Sequence, residues 1–198
     1  MNKIKKIIIG TNNEGKYREI KDLLSTEIEK YSPKDFNLFA PDEIGKTFEE
    51  NSLIKASYFS GKTNLVCIAD DSGLEIDILN GRPGIYSARW GGEEKNFDQA
   101  IEKVFKEIDK TSKNWKNNIK ASFVSSMTIY WPNGKNFTTT GIVNGKISPI
   151  KKGKNGFGYD PIFIPDGYSQ TFGEMESKLK ISIDHRFNAY VKLKKFFV

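Results

Sequence analysis

A single cysteine, Cys67, in 198 residues excludes a disulfide framework and a cysteine-based metal site. It lies inside an apolar run and reads as a small buried hydrophobe. Long hydrophobic runs are missing as well. Ile7-Ile8-Ile9 is far too short for the apolar region of a signal peptide, and no stretch approaches a membrane span. The expectation is a soluble, cytoplasmic protein with no membrane partner. No repeat, low-complexity tract or Pro/Ser-rich linker divides the chain. Residues 1–198 therefore read as one domain, or one domain with two lobes. Disorder is excluded by composition, since 37% of residues are hydrophobic and 14 are Phe. The net charge of +6 suits an anionic ligand, and a Lys-rich solvated surface explains it equally well.

What is present centres on residues 66–90, VCIADDSGLEIDILNGRPGIYSARW. Val66 to Ala69 has the look of a buried strand, ending in Asp70-Asp71-Ser72-Gly73. Leu74 to Leu79 alternates like a second, half-buried strand, and Asn80-Gly81 is a turn signal. Two carboxylates at a strand end can hold a hard divalent cation, or one of them can serve as a general base. Asp, Ser and Gly are also ordinary turn residues, but the strand pattern on either side embeds the acids between two strands and favours a site.

Upstream, Ile4 and Ile7 to Ile9 predict a strand, Gly10 to Lys16 a loop, and Tyr17, Ile20, Leu23 and Leu24 one face of a helix. Strand, glycine-bearing loop and helix N-terminus make an anion site with free N–H groups and the positive dipole end. The spacing of Gly10, Gly15 and Lys16 matches a P-loop, but Tyr17 stands where a Mg²⁺-binding Ser or Thr belongs. Phosphate binding through Thr11, Asn13 and Lys16 survives that mismatch. Thr47 and Glu50 have capping-box spacing before a second helix. On it, Asn51 and Lys55 share a face, and a solvated face is the expectation unless another segment supplies an anion.

Ile101, Val104, Phe105 and Ile108 mark a third helix. Ala121 to Trp131 and Phe137 to Val143 read as strands joined by Pro132-Asn133-Gly134-Lys135, with Asn144-Gly145 as a further turn. Glycines bracket Phe157, which suits a ring presented for stacking a base. His185, the only histidine, precedes Arg186 at the start of a closing helix and is a candidate base reader.

Taken together, TNNEGK (11–16), TFEENSLIKA (47–56), ADDSGLEIDILNGRPGIYSARW (69–90), GFGYDPIF (156–163) and HRFNA (185–189) resemble the inosine triphosphate pyrophosphatase family over the whole chain. The resemblance implies an α/β fold with a long curved mixed β-sheet flanked by helices, two lobes with the active cleft between them, and a homodimer. It implies Mg²⁺-dependent hydrolysis of ITP, dITP and XTP to the monophosphate and pyrophosphate. By it, Thr11, Asn12, Asn13, Glu14, Gly15 and Lys16 cradle the triphosphate together with Lys55. Asp71 is the proton acceptor and a metal ligand, Glu43 completes the Mg²⁺ site, and Ser72 contacts substrate. Phe157, Gly158, Tyr159 and Asp160 sit against base and sugar, while Lys180, His185 and Arg186 close the site. Lys180 is preferred to Lys178 by counting back from His185. Asp184 stands where the family usually has Ser, and Asn155 where it commonly has Gly.

The chemistry is consistent. A nucleoside triphosphate carries about four negative charges, which calls for several cations and a metal. Two alternatives stay open at this point: a pyrophosphatase for other modified nucleotides, such as pyrimidine triphosphates, and a basic nucleic-acid-binding module without catalysis. The paired acids at 70 and 71 argue against nucleic acid, because they repel a phosphate backbone unless a metal intervenes.

Overall fold

The computed structural model describes residues 4–113, 115 and 118–197. Six strands form a mixed sheet flanked by helices. In chain order they are β1 (Lys6–Ile9), β2 (Glu29–Tyr31), β3 (Val66–Ile76), β4 (Lys120–Tyr130), β5 (Asn136–Ile147) and β6 (Phe163–Pro165). The helices are α1 (Glu14–Leu23), α2 (Phe48–Thr63), α3 (Phe97–Thr111), α4 (Ser177–Ile183) and α5 (His185–Leu193). The sheet order is β2-β1-β3-β4-β5-β6, with β1 parallel to both β2 and β3, and β5 antiparallel to β6. The expected α/β class with a mixed sheet is borne out. No described helix is long and apolar enough to cross a membrane.

The chain divides into two compact units. The first comprises Met1–Asp71, Ser125–Gly141 and His185–Val198. Its core is aliphatic around Ile7, Ile9, Ile20, Ile68 and Leu193, with Phe59 and Cys67 in a neighbouring cluster. Cys67 is fully buried as expected, and burial pushes its thiol well above the usual range, so it stays protonated and inert. The second unit comprises Ser72–Val124 and Ile142–Asp184. Leu74 and Ile76 pack there with the α3 stripe of Ile101, Val104 and Ile108 and with Phe163 and Phe172.

Three sequence expectations need correction. Asp70 and Asp71 do not end a strand: β3 runs unbroken from Val66 to Ile76, and Asp77–Leu79 is a 3₁₀ turn. Gly73 reads as a turn former because only composition is visible. In the fold it is a strand residue whose α-carbon is crowded, since a Cβ there would lie 2.3 Å from the Gly84 carbonyl oxygen and 2.5 Å from Ser87 Oγ. Asn144-Gly145 likewise is no turn. It lies within β5, where Gly145 pairs with Pro165 and a Cβ would meet the Ile164 carbonyl at 2.3 Å. Finally, the cap of α2 is only half a capping box. Thr47 Oγ1 accepts from the Glu50 N–H, but the Glu50 carboxylate reaches back to the Lys46 N–H and not to that of Thr47.

Candidate active site

The loop after β1 is drawn tight by its own side chains. Thr11 Oγ1 accepts from the Asn13 N–H at 3.2 Å, and Asn13 Oδ1 caps α1 by accepting from the Lys16 N–H at 2.9 Å. Gly10 has no room for a side chain, because a Cβ would lie 2.8 Å from both Cys67 Sγ and the Phe59 ring. Asn12 donates to the Leu38 carbonyl. Gly15 is buried, whereas Glu14 is exposed and its carboxylate pairs with Lys34 at 2.8 Å. The loop thus aims the Lys16 ammonium at β3, 3.4 Å from Asp70 and 4.0 Å from Asp71.

Because β3 is a strand, its neighbouring acids point to opposite faces. Asp70, fully buried, accepts from Ser125 at 3.3 Å and from Arg186 Nε at 3.1 Å. Asp71 accepts from Asn51 Nδ2 at 3.2 Å and from Lys55 Nζ at 3.0 Å, and Lys55 also reaches Glu43 at 2.6 Å. The solvated face expected for Asn51 and Lys55 is therefore wrong: they are 1% and 4% exposed. The anion that reverses it comes from Asp71, 16 to 20 residues distant in sequence from that helix face, and from Glu43, 8 to 12 distant, both invisible to a helical-spacing argument.

Burial pushes the Lys55 ammonium down, but attraction from Asp71, Glu43 and Asp70 outweighs it and leaves the group raised above 10.5. For Lys16 burial wins over the pull of Asp70, with Lys55 and Arg186 adding repulsion, and the group lies below its ordinary value. Arg186, expected as a base reader, is buried and also pairs through Nη1 with Glu19 of α1 at 2.8 Å. His185 is buried beside it at the start of α5. That helix start is seated by Gly141 of β5, where a Cβ would meet the Ala189 nitrogen and the His185 carbonyl oxygen at 2.2 Å.

In the second unit the glycine-bracketed segment is a compact lock. Gly156 and Gly158 both take positive φ (72° and 67°), which favours glycine. Asp160 Oδ2 accepts from the Phe157 N–H at 2.8 Å and from Lys180 Nζ at 2.6 Å. The Lys180 ammonium also lies 4.9 Å from the Phe157 ring centroid and 5.6 Å from that of Phe172. Lys180 is buried and Lys178 exposed. Tyr159 turns inward: its hydroxyl donates to the Ser87 carbonyl at 2.9 Å and its ring meets Phe97 edge-on. Ser72 is half-buried on β3. Asp184 is buried, and Asn155 donates to the Met175 carbonyl.

Reasoning from sequence left Glu19, Ser125 and Gly141 without a part, although each touches or seats a site residue. Only Gly141, a glycine inside a strand pattern, carried any signal.

A β1–loop–α1 unit that aims a half-buried lysine at paired acids on the neighbouring strand defines an α/β protein with an acid–lysine site at a helix N-terminus. This chain belongs to the Ham1 family, whose model matches residues 7–196. It is 44% identical over 196 residues to a dITP/XTP pyrophosphatase of Oceanobacillus iheyensis, covering 98% of each chain. A dITP/XTP pyrophosphatase of Caulobacter vibrioides is 41% identical over 189 residues, with 96% of each covered. Among solved structures, a HAM1 protein from Coxiella burnetii superposes with a TM-score of 0.85 at 32% identity, covering 97% of this chain and 98% of that one. The resemblance drawn from the motifs is borne out.

Proposed function

We propose that this chain hydrolyses non-standard purine nucleoside triphosphates (dITP, XTP and ITP) to the monophosphate and pyrophosphate, as a cytoplasmic homodimer. The observation that carries the reading is the pair of lysines, half-buried Lys16 and buried Lys55, converging on Asp71 beside the α1 N-terminus. The names of the full-length relatives support the same substrate class.

Asp71 and Glu43 fit a hard divalent cation such as Mg²⁺, since both present carboxylate oxygens to one positive charge, the Lys55 ammonium. Among the described residues no group of three His, Cys, Asp or Glu forms a metal cage. Two carboxylates completed by phosphate oxygens and water are the usual Mg²⁺ arrangement. When bound, the ion supplies charge stabilisation at the phosphate undergoing attack and on the departing pyrophosphate.

In this reading the α1 N–H groups and Lys16 hold the triphosphate, with Lys16 exchanging its contacts to the acids for phosphate oxygens. Lys55 keeps the Asp71 and Glu43 carboxylates turned toward one point. Asp71 takes the proton from the attacking water onto its carboxylate. Asp70, held by Arg186 and Ser125, stays a fixed counter-charge. Phe157 stacks on the base, backed by Asp160 and Lys180. His185 and Arg186 supply hydrogen-bond donors, which favour the C6 oxygen of hypoxanthine and xanthine over the amino group of adenine.

The test is pyrophosphate release from ITP, dITP, XTP, GTP, ATP and the pyrimidine triphosphates with Mg²⁺. The expected order is ITP, dITP and XTP well above GTP, GTP above ATP, and pyrimidines poor. Preference for a pyrimidine triphosphate overturns the substrate assignment, and absence of pyrophosphate release overturns the reaction.

A further inference from the structure

The side chain of Asn51 joins two things that the reading above asks to work together. On α2, Asn51 and Lys55 lie four residues apart on one face. Both reach Asp71, and each also reaches the loop before α2, by different chemistry. The Lys55 ammonium touches Glu43 at 2.6 Å and Asp71 at 3.0 Å, and as a point charge it imposes little direction. The Asn51 amide is directional. Its Nδ2 donates to Asp71 Oδ2 at 3.2 Å, while its Oδ1 accepts from the Gly45 N–H at 2.8 Å. Gly45 is two residues after Glu43, so this single amide connects the loop that carries Glu43 to the carboxylate of Asp71.

The fit of loop to amide is close. A Cβ on Gly45 would lie 2.6 Å from Asn51 Oδ1 and 2.7 Å from Glu50 Cβ. Any side chain at position 45 therefore forces the loop away from α2. One turn earlier, Thr47 caps the helix and the Glu50 carboxylate accepts from the Lys46 N–H, so the loop is held to the first turn of α2 at adjacent backbone positions. Asn51 itself is 1% exposed, which leaves its amide committed to these protein partners and not to solvent.

We propose that Asn51 is a positioning residue for the divalent cation: it sets the spacing and orientation of the Glu43 and Asp71 carboxylates without touching substrate. By donating to Asp71 Oδ2 it leaves Oδ1 turned to the side where Lys55 and Glu43 meet. By accepting from Gly45 it keeps Glu43 from swinging out with its loop. Partners of this kind, one bond removed from a metal ligand, typically change metal affinity by about 10–100-fold when lost.

The proposal rests on Asp71 and Glu43 holding the ion, and the experiment separates the two claims. Mn²⁺ binding is measured by the loss of the free-ion electron paramagnetic resonance signal for the wild-type protein and for Asn51→Leu, Gly45→Ala and Glu43→Gln. The Mg²⁺ concentration at half-maximal activity and the nucleotide KM at saturating Mg²⁺ are measured alongside. Asn51→Leu keeps the branching and number of heavy atoms and loses both hydrogen bonds. Gly45→Ala keeps the Asn51 side chain and its bond to Asp71 but displaces the loop, and because the neighbouring Ile44 is 82% exposed this variant is expected to fold even if the first does not.

The expected result is a rise of about tenfold or more in the Mn²⁺ dissociation constant and the Mg²⁺ midpoint for both variants, with the nucleotide KM within about twofold of wild type. Thermal destabilisation with an unchanged metal midpoint in both variants overturns the proposal and makes Asn51 a packing residue. Equal Mn²⁺ binding by wild type and Glu43→Gln overturns the underlying metal assignment, and the proposal with it. Tight wild-type binding that is lost in Glu43→Gln and kept in Asn51→Leu and Gly45→Ala overturns the proposal alone.

Discussion

Two regions of the first unit bring a lysine to the same carboxylate and produce opposite results. At the start of α1, Lys16 approaches Asp71 only to 4.0 Å and Asp70 to 3.4 Å, and burial lowers its proton affinity. On α2, Lys55 lies 3.0 Å from Asp71 and 2.6 Å from Glu43, and attraction raises it although it is the more deeply buried of the two. Burial opposes the charge on both, and the surrounding charges decide: Lys55 has two carboxylates within 3.0 Å, whereas Lys16 has its acids farther off and is repelled by Lys55 and Arg186. The loosely held lysine is the one suited to leave its acids for a phosphate. The tightly held one is suited to keep two acids from repelling each other.

The most damaging way to break the comparison is to remove the shared carboxylate. Asp71→Asn is expected to abolish nearly all pyrophosphate release, a loss of roughly 10²–10⁴-fold from the base alone with more from the metal. Retention of a tenth of wild-type turnover by the folded variant contradicts the role. Next comes Lys55→Met, which leaves Asp71 and Glu43 facing each other without their cation. Breaking a buried pair costs about 3–5 kcal/mol, tempered here because Glu43 is about a third exposed. Denaturant unfolding and turnover are both expected to fall; Lys16→Met is expected to lose activity with a much smaller change in stability. Equal destabilisation by the two substitutions removes the distinction between them.

A smaller effect sharpens it from the second unit. Lys180→Met removes the charge shared by Asp160 and the faces of Phe157 and Phe172. The nucleotide KM is expected to rise about tenfold, the scale of one charge-assisted hydrogen bond, with kcat less affected. A fall in kcat at unchanged KM argues against a platform for the base.

The smallest effect is in pH. Lys16 loses its proton below 10.5, so substrate affinity is expected to weaken as pH climbs through its lowered value while Lys55 remains charged. Stability runs the other way. In that window the unfolded chain binds more protons at position 16 than the folded one does, so this group makes unfolding harder as pH rises. Lys16→Arg is expected to flatten both trends, because guanidinium does not titrate there. A KM profile that is the same in wild type and Lys16→Arg contradicts the assignment.

Much of this molecule was legible without coordinates. Alternation and helical spacing marked β1, α1, α2, α3 and the β4–β5 pair, since those periods follow from backbone geometry and operate within a few residues. The motif blocks identified the family because their order and spacing survive in the linear chain. The sequence alone also determined that Cys67 is core and that Tyr17 disqualifies a P-loop. Tertiary structure decided the rest. Gly73 and Gly145 looked like turns because glycine's local freedom is all a sequence displays. The reason they are strand residues is crowding by Gly84, Ser87 and Ile164, which lie 11, 14 and 19 residues away. Asn51 and Lys55 looked solvated because their helix spacing is that of any polar face. What reversed it was a carboxylate 16 to 20 residues along, and a charge's partner across space leaves no periodic trace in the chain.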